Sequence, residues 1–127
     1  MNWYKSEIER ITEDCFANQW QIDTVIGLRE YMDNHFNDDL NLDLFSRVRF
    51  VSKYHLLRLF KRYYAPPKQY LIEKRIQKSK EFLKQRKSVS DTCFAVGFES
   101  LGSFSSLFKR KTGLTPTAFQ RRATFEK

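Results

Sequence analysis

The stretch that decides the fold is residues 88–116, SVSDTCFAVGFESLGSFSSLFKRKTGLTP. Its helix-forming residues 89–96 are followed by Gly97, and a second helical segment, 100–111, is followed by Gly113. A helix, a tight glycine turn, a helix and a glycine stop are the parts of a helix-turn-helix motif in their usual order. The stretch therefore predicts such a motif in this part of the chain.

The second helix of this motif has two different faces. Phe104, Leu107 and Phe108 recur at i, i+3 and i+4, which places them on one stripe of a helix. The opposite face carries small or basic residues, namely Gly102, Ser105, Ser106 and Lys109. We expect the apolar face to pack on a core and the polar face to be able to enter a DNA groove.

A second copy of the motif occurs earlier in the chain, so the sequence contains an internal repeat. The later helices of the two motifs match at an offset of 48 residues, and the helices before them at an offset of 47. The matched pairs are Ser52 with Ser100, Leu56 with Phe104, Leu59 with Leu107, Phe60 with Phe108, Leu42 with Val89 and Phe45 with Thr92. The first turn is therefore one residue shorter, and two helix-turn-helix units are predicted in tandem.

The outward faces of the two later helices supply the candidate DNA-binding residues. In the first unit these are Ser52, Lys53, Tyr54, His55, Leu57, Arg58, Lys61 and Arg62. In the second unit they are Ser100, Leu101, Gly102, Ser103, Ser105, Ser106, Lys109 and Arg110. Arginine can bind guanine through two hydrogen bonds, tyrosine can contact a thymine methyl group or a phosphate, and lysine suits the DNA backbone.

These two faces differ in composition, and we expect them to differ in their task. We expect Tyr54, Leu57 and Arg58 of the first unit to carry most of the base discrimination. The second face is mostly serine, so Lys109 and Arg110 are expected to add phosphate contacts. A merely solvated charged face is the alternative for the first unit, and an outward-facing Leu57 argues against it.

The distribution of charge points to a polyanionic partner. Residues 1–40 hold three basic and nine acidic residues, a net charge of −6, whereas residues 41–127 hold twenty basic and six acidic residues, a net charge of +14. Such a basic region favours a polyanion as the partner, and a solvated lysine-rich surface is the alternative. Together with the two predicted helix-turn-helix units, the basic region makes double-stranded DNA the expected partner.

Other functions find little support in the residues. Cys15 and Cys93 form neither a disulfide framework nor a metal motif, and both lie on apolar helix faces. His35 and His55 have no nucleophile or metal cluster spaced to join them, so we expect no catalytic residue, no metal and no cofactor. Without a signal peptide or a membrane-length apolar run, the expected location is cytoplasmic, at the nucleoid.

The rest of the chain is predicted to be helical as well, which gives an all-α fold. Residues 1–20 form an N-terminal amphipathic helix, residues 21–66 the first unit, residues 67–87 a connector helix and residues 88–127 the second unit. The apolar stripe of the first helix is Tyr4, Ile8, Ile11 and Cys15. Within the first unit, a helix capped by Asp23 or Thr24 ends near Asn34 and buries Val25, Leu28, Met32 and Phe36.

The connector and the closing helix are both introduced by proline. The connector is predicted from Pro67 to Arg86, and its 20 residues span about 30 Å. This length is close to the spacing of about 34 Å between successive major-groove faces on one side of DNA. Thr115 and Pro116 begin the closing helix as its cap and first residue, and Phe119 is expected to pack under the second unit.

Three segments together resemble the DNA-binding domain of the AraC/XylS family of bacterial transcription regulators. They are SKYHLLRLFKR at 52–62, KRIQKSKEFL at 74–83 and AVGFES…F…FKRKTGLTP at 95–116. The resemblance covers roughly residues 25–122. It implies seven helices, with both recognition helices in adjacent segments of the major groove. It also implies a transcription activator that contacts RNA polymerase, either a short stand-alone regulator or an excised C-terminal domain.

The sequence departs from the family pattern at several positions. Phe50 stands in the first turn where glycine is usual, and Ser106 stands where arginine is common. Residues 65–67, Ala-Pro-Pro, are one residue shorter than residues 113–116 and lack their glycine. We therefore expect the first unit to build its turn and its helix end differently from the second.

Two other functions compete with a sequence-specific regulator. One is a weakly specific architectural DNA-binding protein, which the serine-rich second face would suit. The other is a helical adaptor that binds a protein through the apolar stripe of its N-terminal helix. On DNA, the chain is expected to act as a monomer, or as a dimer through residues outside the DNA-binding core.

Overall fold

The computed structural model describes residues 19–125, and helices joined by short turns make up this part of the chain. The helices are α1 (Gln19–Asn34), α2 (Leu42–Arg49), α3 (Lys53–Tyr63), α4 (Pro67–Lys84), α5 (Val89–Ala95), α6 (Leu101–Thr112) and α7 (Pro116–Phe125). No strand occurs between residues 19 and 125, so the predicted all-α class is confirmed. The predicted stripe at Tyr4, Ile8, Ile11 and Cys15 lies outside the described residues.

The chain divides into two compact units. The first contains residues 19–34 and 40–70 of the described chain, and the second contains residues 35–39 and 71–125. This division differs from the contiguous segments drawn from the sequence, because residues 35–39 belong to the second unit and α4 contributes to both units.

None of the helices between residues 19 and 125 is long and apolar enough to cross a membrane.

The core of the first unit lies between α1 and α3. Its buried members are Ile22, Val25, Ile26, Leu28, Met32, Leu56, Leu59 and Phe60. The prediction that Val25, Leu28 and Met32 are buried is confirmed. Tyr70, at the start of α4, donates a hydrogen bond to Asp33 over 2.8 Å and meets the ring of Phe60 edge-on.

The predicted start of α1 is wrong. The helix already includes Gln19, so neither Asp23 nor Thr24 caps it. Both side chains instead bond to the turn before them: Asp23 accepts from the Gln19 amide over 2.9 Å, and Thr24 donates to the Trp20 carbonyl over 2.8 Å. A hydroxyl that can bond to the carbonyl four residues back is compatible with a helix interior, which explains the error.

The core of the second unit is built from α4 to α7. Its buried apolar members are Ile76, Leu83, Cys93, Val96, Phe104 and Phe108. Phe119 packs against this core with its ring centre 5.4 Å from that of Phe108, as predicted. Phe36 packs here too, so its predicted place with the buried residues of α1 is wrong. Burial raises the pKa of the Cys93 thiol, which keeps it protonated.

The two helix-turn-helix turns have the same hydrogen-bond pattern. Phe50 N bonds to Arg47 O and Val51 N to Ser46 O, while Gly97 N bonds to Phe94 O and Phe98 N to Cys93 O. This pair of bonds, which span three and five residues, is the Schellman motif of helix ends. The turns therefore match at an offset of 47 and their following caps, Ser52 and Ser100, at an offset of 48, which confirms the shorter first turn.

α4 ends earlier than predicted. It spans 18 residues, or about 27 Å, and stops at Lys84 instead of Arg86. Arg86 has a φ of 68°, and Lys87 N bonds to Phe82 O over 3.1 Å, so the end is a third Schellman motif. An arginine here occupies the left-handed conformation that the sequence pattern reserves for glycine, which is why the prediction ran on by two residues.

Candidate nucleic-acid interface

α3 is held in a fixed orientation by its buried face and its first residue. Leu56 and Phe60 are completely buried, and Leu59 lies beside them in the first-unit core. The hydroxyl of Ser52 accepts a hydrogen bond from the backbone of His55 over 3.5 Å and caps the helix. Because one stripe is buried in this way, the opposite stripe of α3 faces outward.

The outward stripe of α3 carries an aromatic ring and two basic groups. Tyr54 is 80% exposed, and Arg58 and Lys61 are exposed as well. Within residues 19–125, neither basic side chain makes a hydrogen bond or an ion pair. Arg58 can therefore offer its guanidinium to an external acceptor, and a guanidinium matches the two acceptors of guanine in the major groove.

The other predicted residues of the first unit lie in more constrained surroundings. His55 is half-buried, with its ring nitrogen 2.7 Å from the Gln21 amide of α1. Lys53 forms an ion pair with Asp43 over 3.2 Å, and Ser52 and Arg62 are exposed. Leu57 is only half-buried, so the fully outward position that we expected for it is not observed.

α6 is positioned in the same way as α3. The hydroxyl of Ser100 accepts a hydrogen bond from the backbone of Ser103 over 3.2 Å, while Phe104 and Phe108 are completely buried. The predicted residues that are exposed on this helix are Ser100, Leu101, Gly102, Ser103, Ser106, Lys109 and Arg110, and Ser105 is half-buried. Uncharged small side chains dominate the first turns, and the positive charge lies at the far end of the helix.

Gly102 leaves open space on the outward face of α6. A Cβ atom at this position would meet only the hydroxyl of Ser100, at 3.8 Å. The backbone is helical, so the protein fold does not require glycine here, and the residue lowers helix stability by about 1 kcal/mol relative to alanine. A bare backbone on this face would allow a partner to approach closely.

The start of α6 is fixed by a clamp that the sequence did not reveal. Arg75 of α4 donates from Nε to the Phe36 carbonyl over 2.6 Å and from Nη2 to the Asp38 carbonyl over 2.9 Å. Its guanidinium also lies 5.8 Å from the ring centre of Phe98. Desolvation by burial lowers the pKa of Arg75, although nearby Asp39 and Asp38 act in the opposite direction. In the sequence Arg75 is one of many basic residues of the connector, whereas in the structure it holds backbone carbonyl groups.

Gly97 is required by this clamp. Its φ is 102°, and a Cβ atom would lie 2.9 Å from the Asn37 carbonyl oxygen and 3.0 Å from the Arg75 guanidinium carbon. Both the backbone conformation and the available space therefore exclude a side chain. Asn37 and Arg75, which are distant from Gly97 in the sequence, thus fix the second turn. In the sequence, Gly97 was the only sign of this constraint.

Two outward-facing helices, each preceded by a capped turn and a supporting helix, define a tandem helix-turn-helix protein. The sequence matches the family described as "Helix-turn-helix domain" over residues 45–122. This match covers more than half of the chain, and the chain belongs to the AraC-type helix-turn-helix family of DNA-binding transcription regulators.

The chain is also similar to proteins that are named as transcriptional regulators. An uncharacterized HTH-type transcriptional regulator of Pseudoalteromonas carrageenovora is 35% identical over 94 residues, which are 72% of this chain and 55% of that protein. The bifunctional transcriptional activator/DNA repair enzyme AdaA of Bacillus subtilis is 32% identical over 101 residues, which are 78% of this chain and 48% of that protein. The chain thus spans about half the length of these relatives.

A solved structure shows the same fold. The DNA-binding domain of AdpA, a global transcriptional factor crystallised in complex with a target DNA, superposes with a TM-score of 0.76 at 20% sequence identity. The match covers 83% of this chain and 96% of that domain. The predicted AraC-type tandem helix-turn-helix fold is therefore confirmed.

Proposed function

We propose that this protein binds specific sequences of double-stranded DNA through α3 and α6 and thereby regulates transcription. The family assignment supports DNA binding for transcription regulation. We assign different roles to α3 and α6 because their outward faces carry different residues. α3 presents Tyr54, Arg58 and Lys61 without internal bonds, whereas the first turns of α6 present glycine and serine.

The chemistry of the α3 face suits base readout. Arg58 lies one turn after Tyr54, so the guanidinium and the phenol project from the same side of the helix. In the major groove, the guanidinium would donate to guanine, and the ring would contact a thymine methyl group or a phosphate. Leu57, half-buried beside them, would add an apolar contact at the edge of this face.

The chemistry of the α6 face suits contact with the DNA backbone. Ser103 and Ser106 can donate to phosphates, and Gly102 lets the strand approach the helix. The side chains of Lys109 and Arg110 are exposed and make no hydrogen bond or ion pair with residues 19–125, so they can neutralise phosphates. Such contacts fix the position of the protein on DNA but carry little sequence information.

Substitution of Arg58 tests its proposed role in base recognition. Arg58→Ala is expected to weaken binding to the cognate site by about 1–3 kcal/mol, or about 5-fold to 150-fold, and to relax one base position. The matched control is Lys68→Ala, which removes one positive charge from an exposed position of α4 in the same unit. Enrichment of the same motif from random DNA by Arg58→Ala and the wild type would contradict the assignment.

A weakly specific architectural role is the second candidate, favoured by the serine-rich face of α6. Selection of bound sequences from random DNA by the wild-type protein separates the two functions. A motif longer than one half-site would exclude the architectural role, whereas no enriched motif would support it.

Activation is the direction of regulation that we propose. The name of the B. subtilis relative describes a transcriptional activator. Contact with RNA polymerase and residence at the nucleoid belong to the same proposal. The chain is proposed to act by binding and not as an enzyme, and the DNA-repair activity in that relative's name is not carried over, because the match covers 48% of that protein.

A further inference from the structure

A concave pocket of about 430 Å³ lies where the end of α4 meets α7 in the second unit. It is lined by Arg86, Gln120, Arg121 and Thr124. The Gln120 amide donates to the carbonyl of Leu83 over 3.2 Å and to that of Lys87 over 2.7 Å, which joins α7 to the end of α4. The pocket therefore has a fixed wall, and its shape does not depend on mobile side chains alone.

The charged groups of this pocket are two guanidinium groups. Arg86 and Arg121 are exposed, and neither side chain forms an ion pair or a hydrogen bond with the chain from 19 to 125. Among the residues that the structure describes, no acidic side chain lines the pocket. The hydroxyl of Thr124 donates to the Gln120 carbonyl over 2.9 Å, so the free donors come from the two arginines. Two like charges in one concavity repel each other unless an anion lies between them.

The backbone conformation of Arg86 is unusual for an arginine. Its φ of 68° is a left-handed conformation that an arginine adopts only at an energetic cost, and glycine would adopt it freely. The other turns with a positive φ in the second unit, at Gly97 and Gly113, do use glycine. The left-handed position at the end of α4 therefore holds a long cationic side chain at the rim of the pocket.

We infer that the pocket formed by Arg86, Gln120, Arg121 and Thr124 binds a phosphate group. Guanidinium groups match the oxygen geometry of phosphate and bind it through paired hydrogen bonds. The phosphate is either a backbone phosphodiester of the bound DNA or the phosphoryl group of a small molecule. In the first case the inference rests on the proposed DNA-binding function, and in the second it stands without it.

The salt dependence of DNA binding tests the first source. The logarithm of the binding constant falls linearly with the logarithm of the salt concentration, by about 0.9 for each phosphate neutralised. Arg86→Gln/Arg121→Gln is expected to reduce the magnitude of this slope by about 0.9 relative to the wild type. The control Lys80→Gln/Lys84→Gln removes two charges from α4 outside the pocket and is expected to change the slope by less.

Thermal unfolding in inorganic phosphate tests the second source. At equal ionic strength, phosphate is expected to raise the melting temperature relative to chloride by more for the wild type and for the control than for the pocket variant, since phosphate stabilises folded proteins in general and the site adds to this effect. A slope reduced more than in the control assigns the pocket to DNA, and a smaller phosphate response than in the control, with an unchanged slope, assigns it to a free phosphoryl compound. If the pocket variant matches the control in both measurements, the inference is wrong.

A further variant separates loss of binding from loss of folding. Arg86→Gly removes one guanidinium while it relaxes the φ of 68°, so a reduced response in this variant cannot come from a strained backbone. The phosphate measurement needs no DNA. It therefore still shows whether the pocket binds phosphate if the wild type selects no DNA motif and the proposed function is wrong.

Discussion

Replacement of Phe50 by glycine is expected to stabilise the protein, although it removes a large apolar side chain. Phe50 has a φ of 54° and a ψ of 41°, a left-handed conformation that costs a residue with a Cβ atom about 1–2 kcal/mol. The residue is 89% exposed, so its truncation removes little buried apolar surface. The twin turn of the second unit already carries Gly97 in the corresponding position.

The expected magnitude is the difference between two effects. Glycine relieves the strain, but it also gives the unfolded chain more freedom, which offsets about 0.4–1 kcal/mol. The bonds from Phe50 N to Arg47 O, at 3.2 Å, and from Val51 N to Ser46 O, at 3.0 Å, involve only the main chain and are retained. The net gain is about 0.5–1 kcal/mol, which corresponds to a melting temperature higher by about 2–5 °C.

Thermal and urea unfolding followed by circular dichroism measure this effect. The matched control is Gly97→Ala, in which a Cβ atom would lie 2.9 Å from the Asn37 carbonyl oxygen on a backbone with a φ of 102°. This variant is expected to lose about 1–3 kcal/mol. A melting temperature for Phe50→Gly below that of the wild type would refute the reasoning, because the exposed ring would then make a stabilising contact.

Two further predictions concern α6 and α4. Gly102→Ala is expected to raise stability by about 1 kcal/mol in urea unfolding, because alanine is the better helix former and its methyl group meets only Ser100, at 3.8 Å. A simultaneous loss of DNA affinity would indicate close approach of the strand, and reduced stability would contradict the prediction. Desolvation by burial, together with a hydrogen bond to Asp33, raises the pKa of Tyr70 from 10.0 to about 12. The neutral phenol is thus favoured in the fold, and the resulting stability is present below pH 10.0 and lost as the pH rises to about 12. Tyr70→Phe is expected to lose less stability over this range, and an equal loss in both proteins would contradict the assignment.

The motifs that could be predicted from the sequence are those with local causes. Ser52 and Ser100 cap their helices because a serine hydroxyl reaches the backbone three residues on, and Gly97 marks a turn because of its φ. The stripe at Phe104 and Phe108 follows from helical spacing alone. Residues close together in the sequence decide each of these features, so periodicity and capping rules were sufficient.

The place of Phe36 and the role of Arg75 are decided by residues that are distant in the sequence. Phe36 continues the apolar spacing of α1, yet it packs in the second unit, because the chain leaves α1 at Asn34 and residues 35–39 join α4. Arg75 resembles the other basic residues of the connector in sequence. Only the tertiary structure shows that carbonyl groups nearly forty residues away occupy its guanidinium. The roles of individual residues in DNA binding remain predictions from residue type.

The clamp at Arg75 also has a consequence for exchange of sequence between relatives. The second unit is discontinuous: its helices lie after residue 70, but the carbonyl groups that Arg75 requires come from Phe36 and Asp38. Recombination that replaced only the C-terminal half would combine Arg75 with carbonyl groups from a different protein. It would also place the Phe36 side chain against a core to which it does not belong. The two segments must therefore be inherited together, or change together.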